Sequence, residues 1–491
     1  MNVRIRRVAL GLVVLFGALF VNLNIIQVWQ ADSLREDPRN ARGLIAEYEL
    51  ARGSIVVGER ADSEAIARSD DTGGRLRYQR SYPEGSRYAH VTGFYSYIYG
   101  RSEIEQSFND FLTGSSPEVF ARNIADLLAG RQRVGDTVQL TIDPAVQAAA
   151  EAALEGHTGA LVALDPQSGA VLGLYSSPSY DPNPLASHDG DTVRAAWEEL
   201  AEDPRNPALN RATRETYPPG SVFKLITAAA ALESGVRPET TYPDPARLEL
   251  PLTTASIGNF GGGVCADGDE VSLADAMEVS CNTTFAQIGL DLGGDRLVTQ
   301  AERFGVNHAP DFQLPDVAAS RFPGEDLDEP GAAQSAIGQR DVAMTPLQMA
   351  MISATIGNDG EVLEPHLVRH VQDTAGRIVQ QYSPERWRID GSAQAVSPDT
   401  ARALRDMMVQ VVDSGTGTAA QVDGTEVAGK TGTAQTGEGR SPAVWFTGFA
   451  PAQDPQVAVA VVLADAGDDA TGGGVAAPIA RQVVEAALGD R

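Results

Sequence analysis

Three short groups of residues in this sequence could do chemistry. The first is Tyr217-Pro218-Pro219-Gly220-Ser221-Val222-Phe223-Lys224, which leads into an alanine-rich run from Leu225 to Glu233. The prolines suit a helix start. Ser221 and Lys224 stand three residues apart, so a helical first turn projects both from one face. A serine hydroxyl is a poor nucleophile until a base takes its proton. A lysine can be that base only where desolvation or nearby cations hold it neutral. The helix start also offers backbone N–H groups to a developing oxyanion. Alone, the Ser-x-x-Lys spacing recurs by chance in many helices.

The second group is Ser280-Cys281-Asn282, after a helical run from Leu273 to Val279. In a tight turn the first and third residues face one side and the middle one faces away. Ser280 could relay protons and Asn282 could bind a substrate amide. The third group is Lys430-Thr431-Gly432-Thr433, inside a strand expected from Val427 to Gln435. Lys430 can neutralise a carboxylate, Thr431 and Thr433 offer hydroxyls, and Gly432 would let a ligand backbone approach. On an edge strand these groups could receive an extended peptide by strand addition.

The elements that must position these groups follow from composition. The chain has 491 residues, with 38 Lys plus Arg against 66 Asp plus Glu and a net charge of −28. That charge repels phosphate backbones and excludes nucleic acid as a partner. Two cysteines exclude a disulfide-rich scaffold, an iron–sulfur cluster and a four-thiolate zinc site. His366 and His370 have metal-like spacing, but no third ligand lies near them, so no metal or cofactor is expected. Arg4, Arg6 and Arg7 precede an apolar run from Val8 to Val28, interrupted by Asn22, Asn24 and Gln27. This length suits a membrane anchor, and the basic flank places the N-terminus inside. Residues 29–135 are polar, with β-like pieces at Gly53–Val57 and Tyr88–Phe94 and a helical stretch from Pro117 to Gly130. Strands are expected at Val138–Ile142, Gly159–Leu164, Ala170–Tyr175, Ala443–Ala450 and Val457–Leu463. Helices are expected at Ala145–Leu154, after the cap Asp143-Pro144, and at Pro478–Leu488. Strands at both ends around a helical middle imply one mixed sheet fed from both ends of a domain.

In that order and context the three groups are far more specific than any one of them. The set resembles the signature of penicillin-binding proteins and serine β-lactamases. Leu209-Asn210-Arg211-Ala212, Ser335-Ala336-Ile337-Gly338-Gln339 and Arg52-Gly53-Ser54-Ile55 extend the resemblance to a class B penicillin-binding protein over nearly the whole chain. Asn40-Ala41-Arg42 and the short pedestal resemble most closely the actinobacterial penicillin-binding protein A group.

The resemblance implies a mixed α/β fold whose transpeptidase domain has a five-stranded antiparallel sheet flanked by helices. A smaller α+β pedestal and one N-terminal transmembrane helix complete it. The implied division is 1–7 cytoplasmic tail, 8–28 anchor, 29–135 pedestal or dimerisation-like domain and 136–491 transpeptidase domain.

The implied activity is D,D-transpeptidation. Ser221 would be the nucleophile and Lys224 its base. Ser280 and Asn282 would assist, and Lys430 and Thr433 would bind the terminal carboxylate, with Thr431 and Gly432 completing that strand. The implied partners are D-alanyl-D-alanine stem peptides, β-lactams, the membrane, a lipid-II polymerase and proteins of the elongation or division machinery. A β-lactamase is disfavoured, because no Glu-x-x-x-Asn element follows Asn282. A D,D-carboxypeptidase and a non-catalytic β-lactam-binding sensor or divisome scaffold stand as alternatives. Cys265 and Cys281, outside the membrane, could pair and steady the turn at Ser280, or remain two buried thiols. Gly100-Arg101-Ser102-Glu103-Ile104-Glu105 either contacts a polymerase or is a spacer with solvated charges.

Overall fold

The computed structural model describes residues 2–26, 45, 47–58, 63–74, 76–115, 134–266, 268–324, 327–437 and 441–489. The expected helix from Pro117 to Gly130 lies outside them. The N-terminal apolar run forms one helix, Asn2–Asn24 (α1), long and apolar enough to cross a membrane. Asn24, a costly residue in lipid, donates its Nδ2 to the Phe20 carbonyl at 2.8 Å and so satisfies that donor within the helix.

The strands used below are β1 Ile55–Val57, β2 Glu64–Asp71, β3 Tyr78–Ser81, β4 Thr137–Leu140, β5 Gly159–Leu164, β6 Val171–Ser177, β7 Val368–Gln372, β8 Ile378–Gln381, β9 Ala428–Ala434, β10 Ala443–Ala450 and β11 Val457–Leu463. The helices are α2 Pro144–Ala153, α3 Lys224–Glu233, α4 Leu273–Glu278, α5 Asn282–Leu292, α6 Pro346–Gly357, α7 Pro398–Asp413 and α8 Ala477–Gly489.

The five-stranded antiparallel sheet runs β9-β10-β11-β5-β6, so both ends of the domain do feed it. On one face α2 and α8 pack through Val146, Ala150, Ile479 and Val483. On the other face α6 packs through Leu347 and Met351. Both faces are covered, and every residue of β5, β10 and β11 is buried. This explains why Val457–Leu463 reads as an unbroken apolar run rather than an alternation. The Asp143-Pro144 start recurs: Thr345-Pro346 and Ser397-Pro398 open α6 and α7 with side-chain caps.

The pedestal differs from expectation in four ways. Its six-stranded sheet runs β8-β7-β4-β1-β2-β3, so β4, β7 and β8 join it from beyond residue 135. His370 lies in β7, so the His366/His370 spacing belongs to extended chain rather than a helix face. Tyr88–Phe94 is not a strand but a helical turn, Gly85–Tyr88 followed by Ala89–Thr92. There Tyr88 and Val91, three apart, enter the core together.

The solvated-charge reading of Glu103 and Glu105 is also overturned, because they are 2% and 0% exposed. Glu105 is gripped by the guanidiniums of Arg52 and Arg80. Burial pushes its carboxyl up, but those two charges outweigh burial and hold it below the usual range. Glu103 pairs with Arg214 at 2.8 Å, which ties the pedestal to the chain just before the Ser-x-x-Lys group.

Candidate active site

The prolines before Ser221 break the chain into a 3-10 turn, Gly220–Phe223, which runs into α3. A 3-10 turn has three residues per revolution, so Ser221 and Lys224 eclipse each other. The turn is fixed from several sides. The Trp445 indole donates to the Pro218 carbonyl at 2.9 Å, and Tyr217 exchanges backbone hydrogen bonds with Met344 at 2.9 and 2.8 Å. Gly220 has φ +54° and donates its N–H to the Gly338 carbonyl at 3.0 Å. A Cβ at Gly338 would stand 2.1 Å from the Gly220 carbonyl oxygen, so the Ser335–Gln339 segment is a close buttress for the nucleophile turn. Thr227 on α3 adds a hydrogen bond to the Ala336 carbonyl at 2.7 Å.

The Ser280 group lies between α4 and α5. Ser280 has φ +63°, a conformation that reverses the chain between the two helices. Cys281 turns away, as its middle position predicts, and is bonded to Cys265 with a Cα–Cα distance of 5.8 Å. Closing a loop between cysteines 16 residues apart stabilises by about 3 kcal/mol in the chain-entropy model. Asp244 accepts the N–H groups of Cys265 and Ala266 at 2.7 and 2.6 Å and steadies the far side of the bridge.

The third group forms β9, an edge of the sheet. Gly432 does a different job from the one expected. A Cβ there would meet the Pro219 carbonyl at 2.8 Å and Val222 Cγ1 at 3.0 Å. The glycine admits the nucleophile turn, not a ligand backbone. Thr431 bonds Thr416 at 2.6 Å, and the Thr433 hydroxyl accepts the Gly472 N–H at 3.3 Å. Thr416, Gly472 and Trp445 were not read as site residues. Gly472 falls within the run Gly472-Gly473-Gly474, which carries no motif, and the other two carry no local signal.

The three groups meet at two buried amines. Lys224 and Lys430 are both 0% exposed. Lys224 Nζ donates to the Ser280 carbonyl at 2.7 Å and to Asn282 Oδ1 at 2.8 Å. Lys430 Nζ donates to Ser280 Oγ at 2.9 Å and to the Thr431 carbonyl at 3.0 Å. Burial, then the neighbouring Lys430, push the Lys224 amine well below its ordinary value. Burial pushes Lys430 down to about 7. The Phe285 ring, 5.4 Å from Lys224 Nζ, favours the charged form but only weakly, by the scale of such contacts. A neutral amine has two N–H groups and one lone pair. Two carbonyl oxygens take the hydrogens of a neutral Lys224, which leaves its lone pair for a hydroxyl, and Ser280 Oγ already stands 3.3 Å from Nζ. The arrangement can therefore deprotonate a hydroxyl on the same helical face and carry the charge through Ser280 to Lys430. Among the described residues, the one cluster with metal-ligating atom types is Asp244, Cys265 and Cys281, and the disulfide occupies it.

A nucleophile turn, a serine–asparagine turn and a lysine-bearing edge strand around two buried amines define a penicillin-interactive serine transpeptidase site. The chain belongs to that family: the penicillin binding protein transpeptidase domain matches residues 159–485, and the penicillin binding protein A dimerisation domain matches residues 52–138. It is similar to peptidoglycan D,D-transpeptidase PbpA of Mycolicibacterium smegmatis, 44% identical over 99% of both chains. The PbpA of Mycobacterium tuberculosis is 41% identical over 99% of both. Among solved structures it is similar to the imipenem acyl-enzyme complex of penicillin-binding protein A from M. tuberculosis. That likeness has a TM-score of 0.84 and 40% identity, covering 90% of this chain and 100% of that one.

Proposed function

We propose that this chain is a serine-type peptidoglycan D,D-transpeptidase that β-lactams acylate. Ser221 Oγ attacks the carbonyl of the penultimate D-alanine while Lys224 takes its proton. The oxyanion is held by the backbone N–H groups of Ser221 and Thr433. The C–N bond breaks, the proton passes to the departing D-alanine, and an ester to Ser221 remains. An acceptor amine then attacks that ester and gives a proton to Lys224, which passes it to the departing Ser221 Oγ, so the cross-link forms and Ser221 is freed. Lys430 supplies positive charge for the substrate carboxylate, and Thr433 a hydroxyl. Ser280 links the two amines, and Asn282 holds Lys224 in place.

The observation that carries this reading is the convergence of two buried amines on Ser280, with burial and Lys430 pushing the Lys224 amine down beside the nucleophile turn. The helix α1 serves as the anchor, with Arg4, Arg6 and Arg7 on the cytoplasmic side and the catalytic domain outside. We assign the pedestal surface to a lipid-II polymerase and its elongation or division partners. Glu103 and Glu105 are buried, so contact falls on other residues.

The test is an assay of the full-length protein in detergent with a D-alanyl-D-alanine stem peptide and a second stem bearing a free amine. Release of D-alanine with a cross-linked product is expected. A shortened stem without cross-link would make it a carboxypeptidase, and no release at all would favour a sensor.

A further inference from the structure

The loop before Ser280 holds a residue that the three motifs do not include. The helix α5 begins at Asn282, yet its N-cap residue, Cys281, makes no side-chain cap because that side chain is tied into the disulfide. The first N–H groups of a helix need acceptors from elsewhere. They find one in Asn259. Its Oδ1 accepts the N–H of Asn282 at 2.9 Å and of Thr283 at 3.0 Å. Its Nδ2 donates to Thr283 Oγ1 at 3.2 Å and to the Gly263 carbonyl at 3.0 Å. All four hydrogen-bonding positions of the carboxamide are thus used. The preceding residue adds a second hold: the Gly258 carbonyl accepts Asn282 Nδ2 at 3.0 Å. This leaves Asn282 Oδ1 facing Lys224 Nζ at 2.8 Å.

We infer that Asn259 is a positioning residue for acylation: it caps α5 from a distant loop and so fixes Asn282, which in turn orients the Lys224 amine. The inference rests on the transpeptidase reading above. The loop is tied to α5 by Asn259 on its backbone and by the Gly258 carbonyl on the Asn282 side chain, and further on by Cys265 on Cys281. The exposed Phe260 and three glycines between them, Gly261 to Gly263, provide no packing that could replace any of these holds. The disulfide fixes where the loop lies, and Asn259 fixes how Asn282 points.

The experiment measures acylation of the full-length protein by penicillin, separating the first-order acylation rate from the encounter dissociation constant. Asn259→Ala should lower the rate roughly 10–100-fold, the loss that a small misplacement of reacting groups produces. The encounter constant should change less than about threefold. Asn259→Asp keeps the acceptor oxygens, and its charge suits a helix N-terminus. It should recover most of the lost rate. Thr253→Ala, elsewhere in the same loop, should behave as wild type. A wild-type rate in Asn259→Ala would overturn the inference. So would an Asn259→Asp variant as slow as the alanine variant, or a loss confined to the encounter constant. If wild type itself forms no adduct at Ser221, the transpeptidase reading fails instead, which keeps the two outcomes distinguishable.

Discussion

Lys224→Met is expected to slow acylation by penicillin by about 10³-fold or more, toward the upper end for loss of a general base. The substitution keeps the length of the side chain and its burial but removes the lone pair. The same residue sets the pH profile. Lys224 must be neutral to accept the Ser221 proton, and burial together with Lys430 holds its pKa low. As the pH falls, Lys430 takes a proton near 7, and that charge opposes a proton on Lys224. Acylation should therefore decline on the acid side as Lys224 protonates. Lys430→Met removes the opposing charge, so the acid decline should move to higher pH. Stopped-flow acylation across pH 5–9 reads both effects. A Lys224→Met protein within tenfold of wild type, or an acid limb that Lys430→Met leaves in place, would contradict the assignment.

Glu105→Gln is expected to damage the pedestal more than any exposed ion-pair change. Its carboxylate is fully buried between Arg52 and Arg80 and also accepts the Tyr82 hydroxyl at 3.3 Å. Neutralising it leaves two guanidiniums buried without their counter-ion, which costs about 3–5 kcal/mol. Breaking the Glu84–Arg87 pair, about one-third exposed on each side, should cost under about 1 kcal/mol. Thermal unfolding of the full chain should show a fall on the order of 10 °C for Glu105→Gln and little for Glu84→Gln. Equal melting temperatures for the two variants would refute the central role of this carboxylate.

The catalytic domain was the more legible part. The ends of β5, β10 and β11 coincide with the apolar runs because burial on both faces leaves Thr447 as the one hydroxyl among them. The Ser221, Ser280 and Lys430 groups were readable as motifs, and their meeting at two amines is what the structure adds. The pedestal was harder. Strand β2, Glu64–Asp71, is half exposed and carries few apolar residues, so no alternation marks it even though its partners β1 and β3 are its neighbours in sequence. The recruitment of β4, β7 and β8 into its sheet is a long-range choice that no local pattern announces. Helix α5 went unread for a related reason: its cap comes from Asn259, on a separate loop, and its own first residues carry no start signal. Gly432 was misread because the chain that crowds it, Pro219 to Val222, is distant in sequence.

The central claim is that the Ser221 hydroxyl, activated by Lys224, becomes the ester-forming atom. Peptide mapping by tandem mass spectrometry after penicillin treatment tests it most directly. The account predicts one adduct, on the peptide containing Ser221, and none in Ser221→Ala. An adduct on any other residue, or an adduct that survives in Ser221→Ala, would contradict it.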